Sequence, residues 1–309
     1  MRNSFIDELV SIAHKDPNVY LITGDLGFGV LEDFEKQFPQ RFINAGVSEQ
    51  AMMGMAAGLA EGNNLVFVYS IGNFPTLRCI EQIRNDVLYM NRPVVIVSVG
   101  AGFSYGAQGY THHTLEDVAC LGSLAGLNIY SPSDSYEARE CLKDIVAKRS
   151  PAYIRLGKDF GTNFHNEPGH TYSSKMPQIK SGVDGAIVAT GSVVNVAIEA
   201  AELLYESGLE ISIYSCPSIC PLPTQHVSDL GGHKPLIVIE EHVRRGGLYS
   251  SILEQLADLG LARGVRSVSV GTENLKLLGD QEFLRESHGI SAENIVKQFN
   301  SAMEELAKH

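Results

Sequence analysis

The chain is short of positive charge. Against 36 Asp and Glu it carries 24 Lys and Arg, and the net charge of -12 with a pI near 5.3 argues against a polyanionic partner such as DNA. Long apolar runs are missing as well. None approaches the roughly 18 residues of a membrane span, and "MRNSFIDELVSIAHKDP" alternates charged and apolar residues where a signal peptide would hold an unbroken apolar stretch. The five cysteines (Cys79, Cys120, Cys141, Cys216, Cys220) are odd in number and lack C-x-x-C spacing. Neither a disulfide framework nor a zinc site is therefore expected, and they read as buried thiols of a cytoplasmic protein. No internal repeat, low-complexity tract or G-x-x-x-x-G-K-[ST] phosphate loop occurs.

What remains is an ordinary globular composition, 44% hydrophobic and 19% charged over 309 residues, long enough for two domains. Apolar, β-rich runs ("VYLIT", "LVFVYS", "PVVIVSV", "LNIYSP", "AYIRL") alternate with helical patterns. Helices are expected from Asn3 to Lys15, from Ser48 onward, after Pro75, over "THHTLEDVACLGSLA" with Thr114 and Asp117 as a weak capping box, and after the cap candidates Pro132, Ser133 and Asp134. Strands so continuously apolar are parallel and covered on both faces. Between Lys158 and Gly182 the pattern dissolves into Gly, Pro, Ser, His and Asn, then resumes with "GAIVAT", "EISIYS", "PLIVIE" and "VRSVSV" and closes on a helix from about Ser291. The expected fold is α/β, two doubly wound, mostly parallel-sheet domains at 1–160 and 183–309 joined by a connection at 161–182.

One acid stands out. In "NAGVSEQAMMGMAAGLAEG", Glu49 follows the cap candidate Ser48 and opens a helix whose Ala51, Gly54, Ala56, Ala57, Gly58 and Ala60 leave it almost without bulky faces. A first-turn acid is explained by the helix dipole alone, which favours it by a few tenths to about 1 kcal/mol. The small residues imply more, namely a close-packed neighbour, beside which a carboxyl group loses solvation and can share a proton with a ring nitrogen.

That segment resembles the one carrying the cofactor-activating glutamate in transketolases and related thiamine diphosphate enzymes. The resemblance continues through "VYLITGDLG", "GYTHHTLEDVACLGSLAGLNIYSPSD", "AYIRLGK" and "DGAIVATGSVVNVAIEAAELL", in one order along the whole chain. It is to the C-terminal half of transketolase, the pyrimidine-binding and C-terminal domains, which split transketolases encode as a separate subunit. The family's GDG motif, which with a later Asn holds the cofactor's diphosphate and Mg2+, does not occur. The resemblance thus implies an N-terminal partner subunit supplying those ligands, two copies of each chain, and transfer of a two-carbon ketol unit from a ketose or its phosphate to an aldose.

The resemblance also implies roles for residues. Glu49 would hydrogen-bond the aminopyrimidine and favour its imino tautomer, Ile71 and Phe74 would line that ring, and Asp25 would lie near the thiazolium, or else be a turn-forming Asp. "GAQGYTH" sets His112 on a substrate-binding histidine and Gln108 on an acid that contacts a sugar hydroxyl. Arg2 and Arg155 match phosphate-holding arginines, the alternatives being a surface arginine for Arg2 and an interdomain ion pair for Arg155. Three departures bear on the substrate: Gly29 and Gly100 stand where classical transketolases have a Ser and a His, and Gln108 is neutral. Three alternatives stay open: the beta subunit of a 2-oxo-acid dehydrogenase decarboxylase component, a 1-deoxyxylulose-5-phosphate synthase-like enzyme, and a non-catalytic scaffold subunit.

Overall fold

Two open sheets organise the computed structural model, which describes residues 1–157 and 176–308. The first half supplies β1 (Val19–Thr23), β2 (Phe42–Asn44), β3 (Leu65–Ile71), β4 (Val94–Val99), β5 (Asn128–Tyr130) and β6 (Ala152–Leu156), all parallel, in the order β5-β6-β4-β3-β1-β2. The second half supplies β7 (Gln178–Lys180), β8 (Gly185–Ala189), β9 (Ile211–Ser215), β10 (Ser218–Cys220), β11 (Leu236–Val243) and β12 (Val265–Val270). Five of these make the second sheet, β12-β11-β8-β9-β7, with β7 antiparallel at its edge. β10 instead crosses to the first sheet and pairs antiparallel with β5.

The continuous apolar strands explain the layering, because alternate residues serve opposite faces. Phe67 and Val97 pack with Phe5, Leu9, Leu142 and Ile145 of α1 (Arg2–Lys15) and α6 (Ser135–Lys148), while Val66, Val68 and Ile96 pack with Met52, Met53 and Ala56 of α3 (Glu49–Leu59). In the second half α7 (Val194–Glu206) and α11 (Ala292–Ala307) cover one face, and α8 (Thr224–Leu230) and α9 (Leu248–Asp258) the other. The remaining helices are α2 (Glu32–Gln37), α4 (Ile80–Gln82), α5 (Asp117–Gly122) and α10 (Gln281–Ser287).

Asp134 and Ser291 cap their helices by accepting from Glu137 N and Asn294 N. Thr114 and Asp117 form no capping box: α5 begins at Asp117 without a side-chain cap, and the Asp117 carboxylate accepts from Tyr153 and Arg155 instead. The run after Pro75 is irregular, a 3-10 turn (Leu77–Cys79), α4 and a π-helical segment (Ile83–Leu88) in succession. Of the expected connection, 161–175 lie outside the described residues and 178–180 form β7. All five cysteines are free, but only Cys79, Cys141 and Cys216 are buried, while Cys120, within α5, and Cys220, at the end of β10, are half-buried. Among the described residues no helix is long and apolar enough to cross a membrane.

Candidate functional site

In an open parallel sheet, ligands lie outside the carboxyl ends of the strands where strand order reverses. In the first sheet that reversal falls at β1, which has β2 on one side and β3 on the other. The loops leaving β1, β2, β3 and β4 carry most of the residues singled out in the sequence.

Glu49 opens α3 there and is only 4% exposed. One of its oxygens accepts from Arg78 at 2.6 Å, and no protein hydrogen bond to the other is seen among the described residues. Ser48 occupies the cap position, yet its hydroxyl donates to Ala45 O and leaves the first-turn amides uncapped. Arg78, itself half-exposed, lays its guanidinium 4.5 Å over the Phe74 ring. The Phe74 ring meets His112 edge-on at 5.3 Å, and Tyr105 continues the row at 6.4 Å from His112. Ile71 belongs to the same turn, its carbonyl accepting from Phe74 N. The structure thus brings Glu49, Ile71, Phe74 and His112 into one wall.

Close backbone approach holds that wall together. Gly72 has φ +38°, and a Cβ there would fall 2.1 Å from the Thr114 hydroxyl, so only glycine lets the turn after β3 reach the 112–114 segment. Asn73 seals the contact by donating to His113 O at 2.8 Å. The small residues of α3 behave differently from one another. Ala56 and Ala60 are buried, but Cβ atoms at Gly54 or Gly58 would meet nothing within 4 Å, so half of this smooth surface faces open space in the chain.

Asp25 follows β1 in the left-handed region, φ +59°, and is exposed. Its amide donates to Asn44 Oδ1 and its carboxylate accepts from Asn44 Nδ2, both at 3.0 Å, which ties the β1 loop to the end of β2 just before α3. Arg2 is exposed and lines a cleft of ≈ 470 Å³ with Gly100, Ser104, Tyr105 and Gly157. Gly100 there has φ +90°, and a Cβ would lie 2.3 Å from the Tyr105 ring, so the tyrosine takes the space a histidine would need. Gln108 is exposed at the end of the Gly106–Gln108 turn.

Arg155 is not brought to this wall. It is 2% exposed, its Nε donates to Asp117 at 2.8 Å and its terminal nitrogen to Thr114 O at 2.9 Å, so it supports the segment behind His112 from below. Its ion-pair partner lies in the same half of the chain, not across the domains. Arg78 and Tyr105 were missed in the sequence, since neither sits in a pattern that sets it apart. Among the described residues no group of three or more His, Cys, Asp or Glu is arranged to hold a metal ion.

Two family models match the chain, the transketolase pyrimidine-binding domain over residues 1–161 and the transketolase C-terminal domain over 174–295. The chain is 32% identical to one of the subunits of an apulose-4-phosphate transketolase from Phocaeicola vulgatus, over 96% of this chain and 95% of that protein. It is also 32% identical to a 1-deoxy-D-xylulose-5-phosphate synthase of Magnetococcus marinus, covering 94% of this chain but 47% of the synthase. Among solved structures it resembles a split gene transketolase described as an inactive beta4 tetramer, with a TM-score of 0.86, 27% identity and coverage of 98% and 97%.

Proposed function

The chain belongs to the transketolase family, and from that premise we propose that it is the C-terminal subunit of a split transketolase, active only with a partner subunit. The observation that carries this reading is the wall at the strand-order reversal: a buried carboxylate with one oxygen that meets no hydrogen-bond partner among the described residues, beside a half-buried aromatic ring and a histidine. The same features fit thiamine diphosphate, whose aminopyrimidine needs a carboxyl group at a ring nitrogen and a flat apolar side to rest on. When bound, that cofactor supplies the electron sink for breaking the carbon–carbon bond beside a ketose carbonyl.

The chain's own residues would then divide the work. Glu49 would hold the aminopyrimidine through a hydrogen bond at a ring nitrogen, which would require the Arg78 guanidinium to yield part of its hold. Phe74 and Ile71 exclude water from the apolar side, and Asp25, on the loop after β1, would lie near the thiazolium. On the substrate, His112 holds an oxygen near the reacting carbonyl, Gln108 meets a sugar hydroxyl, and Arg2 faces a terminal phosphate across the Tyr105 cleft. Arg155 acts as a support of the 114–117 segment rather than as a phosphate ligand.

For the partner we infer an N-terminal transketolase subunit that supplies the diphosphate and Mg2+ ligands, assembled as two copies of each chain. Large apolar side chains beside the site support such a covering: Phe28, in the loop after β1, is 80% exposed and Val47, just before α3, 77%. The Phocaeicola relative points the same way, being one subunit of a transketolase and matching this chain end to end. We assign the complex to the cytoplasm, where free thiols stay reduced. The test is to purify the chain together with an N-terminal transketolase subunit that carries the GDG motif and to measure ketol transfer between sugars. Transfer by the mixture and by neither chain alone is expected. Condensation of pyruvate with an aldose phosphate, and no transfer between sugars, would overturn this reading in favour of the synthase alternative.

A further inference from the structure

The segment that carries Gln108 and His112 leaves β4 in the first domain, yet both its ends are seated in the second. Phe103 and Leu115 are fully buried members of the second domain's core, packed with residues of α7, β11 and α10. The Phe103 ring is held between His113, edge-on at 5.2 Å, and His288, stacked at 5.1 Å. Val243 N donates to Leu115 O at 2.9 Å, closing the far end onto β11. At the near end the Glu241 carboxylate, 4% exposed, accepts from Phe103 N at 2.6 Å.

Glu241 is saturated by the second domain itself. Gln281 donates to both its oxygens at 3.0 and 3.1 Å, and Arg285 donates through Nε at 2.9 Å while also holding the Ser192 hydroxyl at 2.7 Å. The fit is tight enough to dictate sequence. A Cβ at Gly102, where φ is +63°, would lie 2.5 Å from the Glu241 carboxyl carbon, and one at Gly106 would lie 2.5 Å from Gly279 O. Gly106 O also takes the His113 ring nitrogen at 3.0 Å, which pins the turn bearing Gln108 to the buried histidine beside His112.

We propose that the second domain is the seat of the 102–115 loop, with Glu241, oriented by Gln281 and Arg285, as the positioning residue that fixes Phe103 and through it the placing of His112 and Gln108. The proposal rests on the transketolase reading for its consequence in activity, while the anchoring stands on the chain alone. It separates two halves of the site. Glu49, on α3, and Ile71 and Phe74, on the turn after β3, meet the loop only at residues 112–114, through Gly72, Asn73 and Phe74, whereas Gln108 and His112 are carried by the loop itself.

The substitution Glu241→Gln tests this, because it keeps an acceptor for Phe103 N and removes the charge that holds Arg285. In the complex with the partner subunit, the KM for the ketose donor is expected to rise about tenfold with kcat within about threefold and half-saturation by thiamine diphosphate unmoved. In the isolated chain, deuterium uptake by amides 102–113 should speed up about tenfold with no change in β1 or α1. The conservative Arg285→Lys should restore most of the donor KM relative to Arg285→Met. Half-saturation by the cofactor rising in step with the donor KM, or uptake accelerating evenly along the chain, would overturn the proposal. If the unmutated complex moves no ketol unit, the functional reading fails while the exchange experiment still decides the anchor.

Discussion

Two buried glutamates sit on either side of the domain boundary in opposite states. Glu241 accepts from Phe103 N, Gln281 and Arg285, and both its oxygens are spoken for. Glu49 is equally buried, yet one oxygen takes a single bond from a half-exposed arginine and the other has none among the described residues. Desolvation costs a carboxylate several kcal/mol unless hydrogen bonds replace the lost water. A fully paired acid has recovered that cost and is fixed, whereas an under-paired one keeps bonding capacity for something outside the chain. The comparison teaches that burial does not mark a functional acid; the unfilled part of its bonding capacity does.

The sharpest way to break the contrast is to neutralise Glu49. Glu49→Gln in the assembled complex should cut turnover by at least about 100-fold with assembly unchanged, as expected for loss of a proton-sharing group. Turnover close to the parent's would return Glu49 to the ordinary role of a first-turn acid.

The neighbour of Glu241 sharpens the other side. Glu240 accepts from Leu248 N, Tyr249 N and the Ser269 hydroxyl, with His242 4.0 Å away and Arg155 near, and burial still pushes it up to about 8. Burial drives His242 down to about 4. Between the ordinary carboxyl value of 4.5 and about 8 the folded chain holds a proton that the unfolded one lacks, so Glu240 makes stability fall as pH rises. His242 works the other way between about 4 and 6.5, which leaves the net fall between pH 6.5 and 8, about 2 kcal/mol for those 1.5 units. Chemical denaturation across that range should show the fall in the parent and a flat profile in Glu240→Gln. A parallel slope in both would mean that Glu240 is ionised throughout.

A smaller effect is expected at the loop apex. A charge-assisted hydrogen bond contributes roughly 1.5 to 3 kcal/mol and a neutral one about 0.5 to 1.5, so Gln108→Asp should shift donor preference about tenfold towards ordinary ketose phosphates such as xylulose 5-phosphate. Steady-state rates on two donors read the ratio. No movement would detach Gln108 from the sugar and leave His112 as the loop's contact.

How much of this could be read in the sequence follows from the range of the interactions. The central strands of both sheets were legible because they are apolar nearly throughout, whereas the three-residue edge strands β2 and β7 were not, and Asp134 and Ser291 announce their helices through bonds spanning three residues. Glu49 was legible as an oddity among small residues. Its partner Arg78 was not, being 29 positions away in a 3-10 turn that opens an irregular helical run no periodicity predicts. The sequence leaves Arg155 open between a phosphate contact and an ion pair, because a strand's sequence does not say whether a central position faces a cleft or a buried aspartate. Glu241 and Phe103, 138 residues apart, meet only through domain packing. Likewise the three-residue β10 joins a sheet of the other domain, and so short an element has no period to detect.

Behind all of this stands one claim, that the chain holds half an active site with an open carboxylate awaiting a cofactor that it cannot retain alone. Calorimetric titration of thiamine diphosphate with Mg2+ tests it most directly, first into the isolated chain and then into the chain mixed with its partner subunit. The account predicts no saturable heat in the first titration and magnesium-dependent binding in the second. Tight, magnesium-dependent binding by the isolated chain would contradict it.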